Sequence, residues 1–170
     1  MNTHSIRFGF LAGIGTIAIL LSAYFIDKKL MFNANIVWST ILFYIIGMTM
    51  AATEQRKDQG GFISFKEALR ASFVVWVIAN AIYHLFNYLQ FNFFDPELLT
   101  IQKEHNLEML EQNPNLFGEE YMEALVTNIE QTTYGLGVTI SAYIGSLIAG
   151  FIVAAIIARI VRRDNFAVTP

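Results

Sequence analysis

Asn80, His84 and Asn87 recur at helical spacing inside the apolar stretch "NAIYHLFNYLQFNFFDP". At 100° per residue they fall within about 60° of one another. Trp76 and Phe91 continue the same side, and Asp95 ends it. Polar side chains in hydrocarbon are costly, so this face must meet protein or a water-filled cavity. Two chemistries fit. One is a proton- or ligand-handling lining in which His84 is the titratable group. The other is glue between helices, each hydrogen bond worth about 0.6 kcal/mol in a membrane. Partners for such glue would come from Ser39, Thr40, Tyr44, Thr139, Ser141, Tyr143 and Ser146. Depth divides the stretch as well. If the bilayer core ends near Phe86, then Asn87, Gln90 and Asn92 are interfacial and Tyr88 joins an aromatic belt.

The elements that must carry this face are membrane spans. The chain has 170 residues, 55% hydrophobic and 15% charged, against about 25% charged in a soluble domain. A helix crosses the bilayer core with about 20 apolar residues. Four segments meet that length: 8–26, 36–52, 68–94 and 136–161. The first lacks a cleavage signal and reads as a retained anchor. Gly60-Gly61 breaks the chain before the third span, and "SFKE" from Ser64 to Glu67 forms a capping box that starts it near Phe65. That helix can run about 30 residues, or about 45 Å, longer than the bilayer core.

Residues 95–134 form the one long connection. Asp95-Pro96 suits a helix start, with Asp95 as the cap. "ELLTIQKEHNLEMLEQ" is one amphipathic helix. "NPN" and Gly118 interrupt, and a second helix follows with Tyr121, Met122, Leu125, Val126 and Ile129 on one stripe. The expected architecture is all-α and polytopic: four transmembrane helices in a bundle, one domain over 1–170, with an external acidic two-helix hairpin between the third and fourth spans.

Charge placement gives orientation. Arg7, Arg56, Lys57, Lys66, Arg70, Arg159, Arg162 and Arg163 share one side, against Lys28, Lys29 and Lys103 on the other. The positive-inside rule then places both termini in the cytoplasm and the hairpin outside. Arg159 snorkels to the inner interface.

The fourth span carries two small-residue ladders. One is Gly137, Ser141, Gly145 and Ala149. The other is Ala142, Ser146, Gly150, Ala154 and Ala158. Small residues at this spacing let helix backbones approach closely, within one chain or across a homodimer.

Several functions find no residues here. Cysteine is absent, so disulfides, thiolate metal sites and cysteine nucleophiles are excluded. No dense basic patch suggests nucleic acid. Glu104, His105, Glu108 and Glu111 lack metal-ligand spacing and read as a solvated acidic face. No cofactor motif, nucleophile elbow or pair of intramembrane carboxylates is present, so no catalytic residue is assigned.

"RFGFLAGIG" opening the first span, "GGFISFKEALRASF" entering the third and "FFDPE" leaving it form a set. With four spans and a long third connection, the chain resembles a family of small bacterial inner-membrane proteins known only as a domain of unknown function. That resemblance implies an envelope location and a four-helix membrane fold, and it transfers no catalytic residue. The leading expectation is a non-enzymatic accessory or interaction subunit that meets the lipid bilayer and, through 95–134, a membrane or periplasmic partner. The alternative is a small transporter or lipid-linked-sugar flippase, dimeric, lined by Asn80, His84 and Asn87.

Overall fold

A computed structural model describes residues 3–112 and 119–163, the side chains of 119–121 excepted. Its helices are α1 Thr3–Ile26, α2 Ala34–Asp58, α3 Phe65–Leu89, α4 Glu97–Glu111, α5 Glu119–Gln131 and α6 Leu136–Val161. A 3₁₀ turn, Lys28–Phe32, joins α1 to α2, and a π-helical turn, Gln90–Phe94, extends α3. Four helical stretches are long and apolar enough to cross a membrane: α1, α2, α3 with its π turn, and α6. The protein is thus an all-helical, polytopic bundle. The "NPN" and Gly118 break expected between α4 and α5 lies outside the described residues, as does the Tyr121 side chain.

The helices outlast their apolar cores. α1 begins five residues before Phe8, and α2 continues through "TEQRKD" to Asp58. Hydrocarbon length sets the apolar stretch. Backbone hydrogen bonding carries the helix further, into the headgroups and water.

Local signals fix the joints. Asn33 caps α2 by accepting from the Asn35 N–H at 2.9 Å. Gly60 and Gly61 take φ of 75° and 96°, a left-handed region that side chains avoid. Ser64 then starts α3. Its Oγ accepts from the Glu67 N–H at 3.3 Å, and Glu67 Oε2 accepts from the Ser64 N–H at 3.0 Å. Ser64→Ala is expected to cost about 1 kcal/mol, read as a lower Tm in detergent.

α3 is the hub. It packs on α1, α2 and α6, whereas α1 and α6 do not pack on each other. Gly9 and Gly13 of α1 lie against Ile78 and Ile82, and Gly47 of α2 lies against Phe8 and Val75. Such close backbones gain dispersion contacts, the main attraction between helices where lipid is as apolar as the side chains. At the end of the bundle that carries both termini, Arg56 donates to the Val161 carbonyl at 3.1 Å. That places a cation on the negative C-terminal end of α6. Ile63 and Arg163 exchange two backbone hydrogen bonds, at 2.9 and 3.1 Å, and pin the same corner.

α4 is clamped to the opposite end. Lys28 pairs with Asp95 at 2.7 Å and Glu97 at 2.8 Å, and Lys29 pairs with Glu108 at 3.0 Å. The Tyr24 hydroxyl donates to Asp95 at 2.9 Å. Leu98 is fully buried beneath the clamp. Asp95 therefore does not serve as the regular cap expected of it. Pro96 takes the cap position without a side-chain bond. The Asp95 carboxylate turns to Lys28 and Tyr24, with the Glu97 N–H a lesser neighbour.

Candidate functional site

The three polar residues of α3 lie on one side of the helix but meet different surroundings. Asn80 is buried, 6% exposed. His84 is half-buried, with ring-edge contacts to Tyr83 at 5.2 Å and Tyr143 of α6 at 5.8 Å. Asn87, 4% exposed, lines a cavity at the α4 end of the bundle. Asn80 and His84 are not among that cavity's lining residues.

The hydroxyls available as glue mostly turn back on their own helices. Ser39 donates to Ile36 O, Thr40 to Val37 O, Thr139 to Gly135 O and Ser146 to Tyr143 O. A hydroxyl can reach the carbonyl three or four residues back at little cost, which removes it from interhelical bonding. Of the bonds that cross between spans, one uses a hydroxyl from that set, Tyr143, and two use other donors, Ser72 and Trp76. Ser72 donates to Met48 O at 3.2 Å, the Trp76 indole to Ser146 O at 3.1 Å and the Tyr143 hydroxyl to Val77 O at 3.3 Å. A buried indole N–H needs an acceptor, so Trp76 could have been singled out from the sequence on that ground. His84→Leu is expected to leave insertion intact and change stability by less than about 1 kcal/mol, since it loses ring contacts only. Thermal unfolding in detergent checks this.

The two ladders of α6 also part. Gly150, Ala154 and Ala158 are buried, and Gly150 lies directly under the Trp76 ring. Ser146 is half-buried and supplies the carbonyl for Trp76. Gly137, Ser141, Gly145 and Ala149 are exposed, and a Cβ at Gly137 or Gly145 would meet nothing within 4 Å.

The cavity is the site the sequence did not disclose. It measures about 230 Å³ and is lined by Leu20, Met31, Phe32, Val37, Tyr83, Asn87, Phe91, Gln102, Asn106 and Tyr134. Each wall has a local cause. The π turn brings Phe91 inward, where its ring stacks on Tyr134 at 3.9 Å and 4°. Asn92 donates to both Tyr88 O and Tyr134 O, at 2.8 and 2.9 Å, and fixes that chain segment. The Lys28 and Lys29 clamps hold α4 over the opening, with Gln102 and Asn106 one turn apart on its inner face.

Two lining side chains are unsatisfied. Asn87 Nδ2 and Gln102 Oε1 are buried without a hydrogen-bond partner. The Tyr83 phenol stands beside the Asn87 amide without making a hydrogen bond to its Nδ2. Leaving a buried amide group unpaired costs about 1–3 kcal/mol. His105 Nε2 is also buried and unpartnered, its ring 6.3 Å from Phe32. Glu108 instead reaches Lys29, so His105 and Glu108 do not converge on a metal position. Among the described residues, no three metal-ligating side chains come together.

No cavity-lining residue is charged. Burial pushes the Tyr134 phenol up, so it stays a neutral hydroxyl. The arrangement offers donors, acceptors and aromatic faces without a nucleophile–base pair.

The model of one family, described as a protein of unknown function (DUF4199), matches residues 7–163. No curated protein and no solved structure matches the chain.

Proposed function

Because the chain belongs to the DUF4199 family of proteins of unknown function, we propose a role from its own residues: a non-enzymatic accessory or interaction subunit of a bacterial inner membrane. Both termini face the cytoplasm, and the α4–α5 hairpin lies outside. The side that bears the termini holds eight of the 11 Lys and Arg residues, which supports this orientation.

The observation that carries the role is how the hairpin is held. α4 is tied to the bundle by Lys28 and Lys29, and α5 packs on α4 and on no other described element. Met122, Leu125, Val126 and Ile129 are half-buried. Glu104, Glu111, Glu123 and Glu130 are exposed. An acidic platform at the membrane surface suits a partner with a basic extramembrane segment.

The test is charge reversal of Glu104, Glu111, Glu123 and Glu130 to Lys, with photo-cross-linking from Thr127 in living cells. The expected result is a discrete cross-linked partner that disappears in the reversed chain while insertion persists. Equal cross-linking by both chains would refute the acidic platform.

A second reading, a small transporter or lipid-linked-sugar flippase, is favoured by the polar cavity at the hairpin end of α3.

A further inference from the structure

We propose that the cavity between α2, α3 and α4 binds a neutral, hydroxyl-rich group of about one sugar ring, carried by a glycolipid or free in solution. This holds whether the chain serves as an accessory subunit or as a carrier.

Asn87 and Gln102 carry the inference. They come from different elements, line the same cavity, and present a buried Nδ2 donor and a buried Oε1 acceptor with no partner in the protein. A helix that needed only packing would place apolar side chains there, because an unpaired amide weakens the fold. A ligand that both donates and accepts would satisfy both groups, as hydroxyls do.

Charge narrows the class. The lining holds no Asp, Glu, Lys, Arg or His. The nearest lysines, on the adjoining 3₁₀ turn, are engaged: Lys28 with Asp95 and Glu97, Lys29 with Glu108. A phosphate or carboxylate would enter without a counterion, so the ligand is neutral. Tyr83, Phe91, Tyr134 and Phe32 supply aromatic walls for the C–H face of a ring. The volume of about 230 Å³ lies below the roughly 300–1,000 Å³ of pockets for drug-sized ligands, which suits one ring.

The mouth indicates the approach. Val37 and Asn106 are exposed, while the other lining residues are buried or half-buried. Val37 lies in the first turn of α2 and Asn106 on α4. The cavity therefore opens between the first turn of α2 and α4, the end of the bundle that the proposed orientation sets at the outer headgroups.

The test uses the full chain in amine-oxide micelles, which contain no sugar. Three probes are compared by native mass spectrometry: monoglucosyl diacylglycerol, phosphatidylethanolamine with the same acyl chains, and methyl β-glucoside. The expected result is one retained glucolipid per chain, and binding about tenfold weaker in Asn87→Leu and in Gln102→Leu. The unliganded variants should melt at or above the wild-type temperature, because each loses an unsatisfied polar group; a purely structural role would lower it. Displacement of the lipid by methyl β-glucoside would identify the sugar alone as the ligand. Failure to displace it would make the acyl chains part of recognition. Equal retention of phosphatidylethanolamine, no glucoside or glucolipid binding, or wild-type binding by both variants would overturn the proposal.

Discussion

Gly150→Ala is expected to destabilise the protein by about 3 kcal/mol, the upper end of overpacking costs. A Cβ at Gly150 would overlap the Trp76 ring, far inside any real contact. Trp76 cannot swing aside. Its ring packs at a 54° tilt against Tyr44 with centroids 5.0 Å apart, and its indole donates to Ser146 O at 3.1 Å. α6 must then back away from α3, opening the contact and breaking that hydrogen bond. Gly145→Ala is the matched control. Nothing lies within 4 Å of its added Cβ, so the change should be neutral or raise helix stability by up to about 1 kcal/mol through propensity. Thermal unfolding of the two variants in the same detergent reads both effects. Equal melting temperatures would show that Gly150 is not the packing glycine. The pair also separates the two ladders of α6, which the sequence alone left equivalent.

Asp95→Asn is expected to loosen α4 and to remove an acid-dependent part of stability. The Lys28 ammonium beside Asp95, with lesser help from Tyr24, holds its carboxyl below the usual carboxylate range. Asp95 is buried in the fold, 9% exposed, but the Lys28 side chain is 36% exposed, so solvent screens the pair. The cost should fall between exposed and buried ion pairs, about 1–2 kcal/mol. The sign follows from linkage. A carboxyl whose folded pKa is lowered stabilises the fold above its unfolded value, near pH 4, and loses that contribution as pH falls through the lowered folded value. Lys28 is pushed upward by Asp95 and Glu97. Its contribution is complete below about pH 10 and is lost only in stronger alkali. Stability should thus be flat through neutrality and fall below about pH 4. In Asp95→Asn the wild-type difference should shrink to nothing along that acid limb. Amide exchange of α4 from neutral pH down to about pH 3 checks both statements.

What was legible in the sequence followed local causes. Apolar length marked the four spans, and Ser64 with Glu67 marked the start of α3, because a bilayer thickness and a capping box are both read within a few residues. The stretches around Arg7, Gly60 and Asp95 also pointed to the right family. Contacts set by chain return were not legible. Asn80, His84 and Asn87 share a helical face within about 60°, yet that arc is wide enough to present His84 to Tyr143 and Asn87 to the cavity. The cavity itself combines α3 with Gln102, Asn106 and Tyr134, from a stretch that reads by itself as a solvated connection. Asp95 looked like a cap because Pro96 follows it. Only the fold brings Lys28 within 2.7 Å of it.

Every functional reading of the hairpin depends on which side of the membrane it occupies. The chain has no cysteine, so single cysteines can report this without background. Glu111→Cys and Lys57→Cys, each exposed, should be exposed in turn to a membrane-impermeant maleimide on intact cells. The expected result is labelling at position 111 and none at 57 until the membrane is opened. Labelling at 57 with protection at 111 would place the acidic hairpin in the cytoplasm and contradict the proposed outer interaction surface.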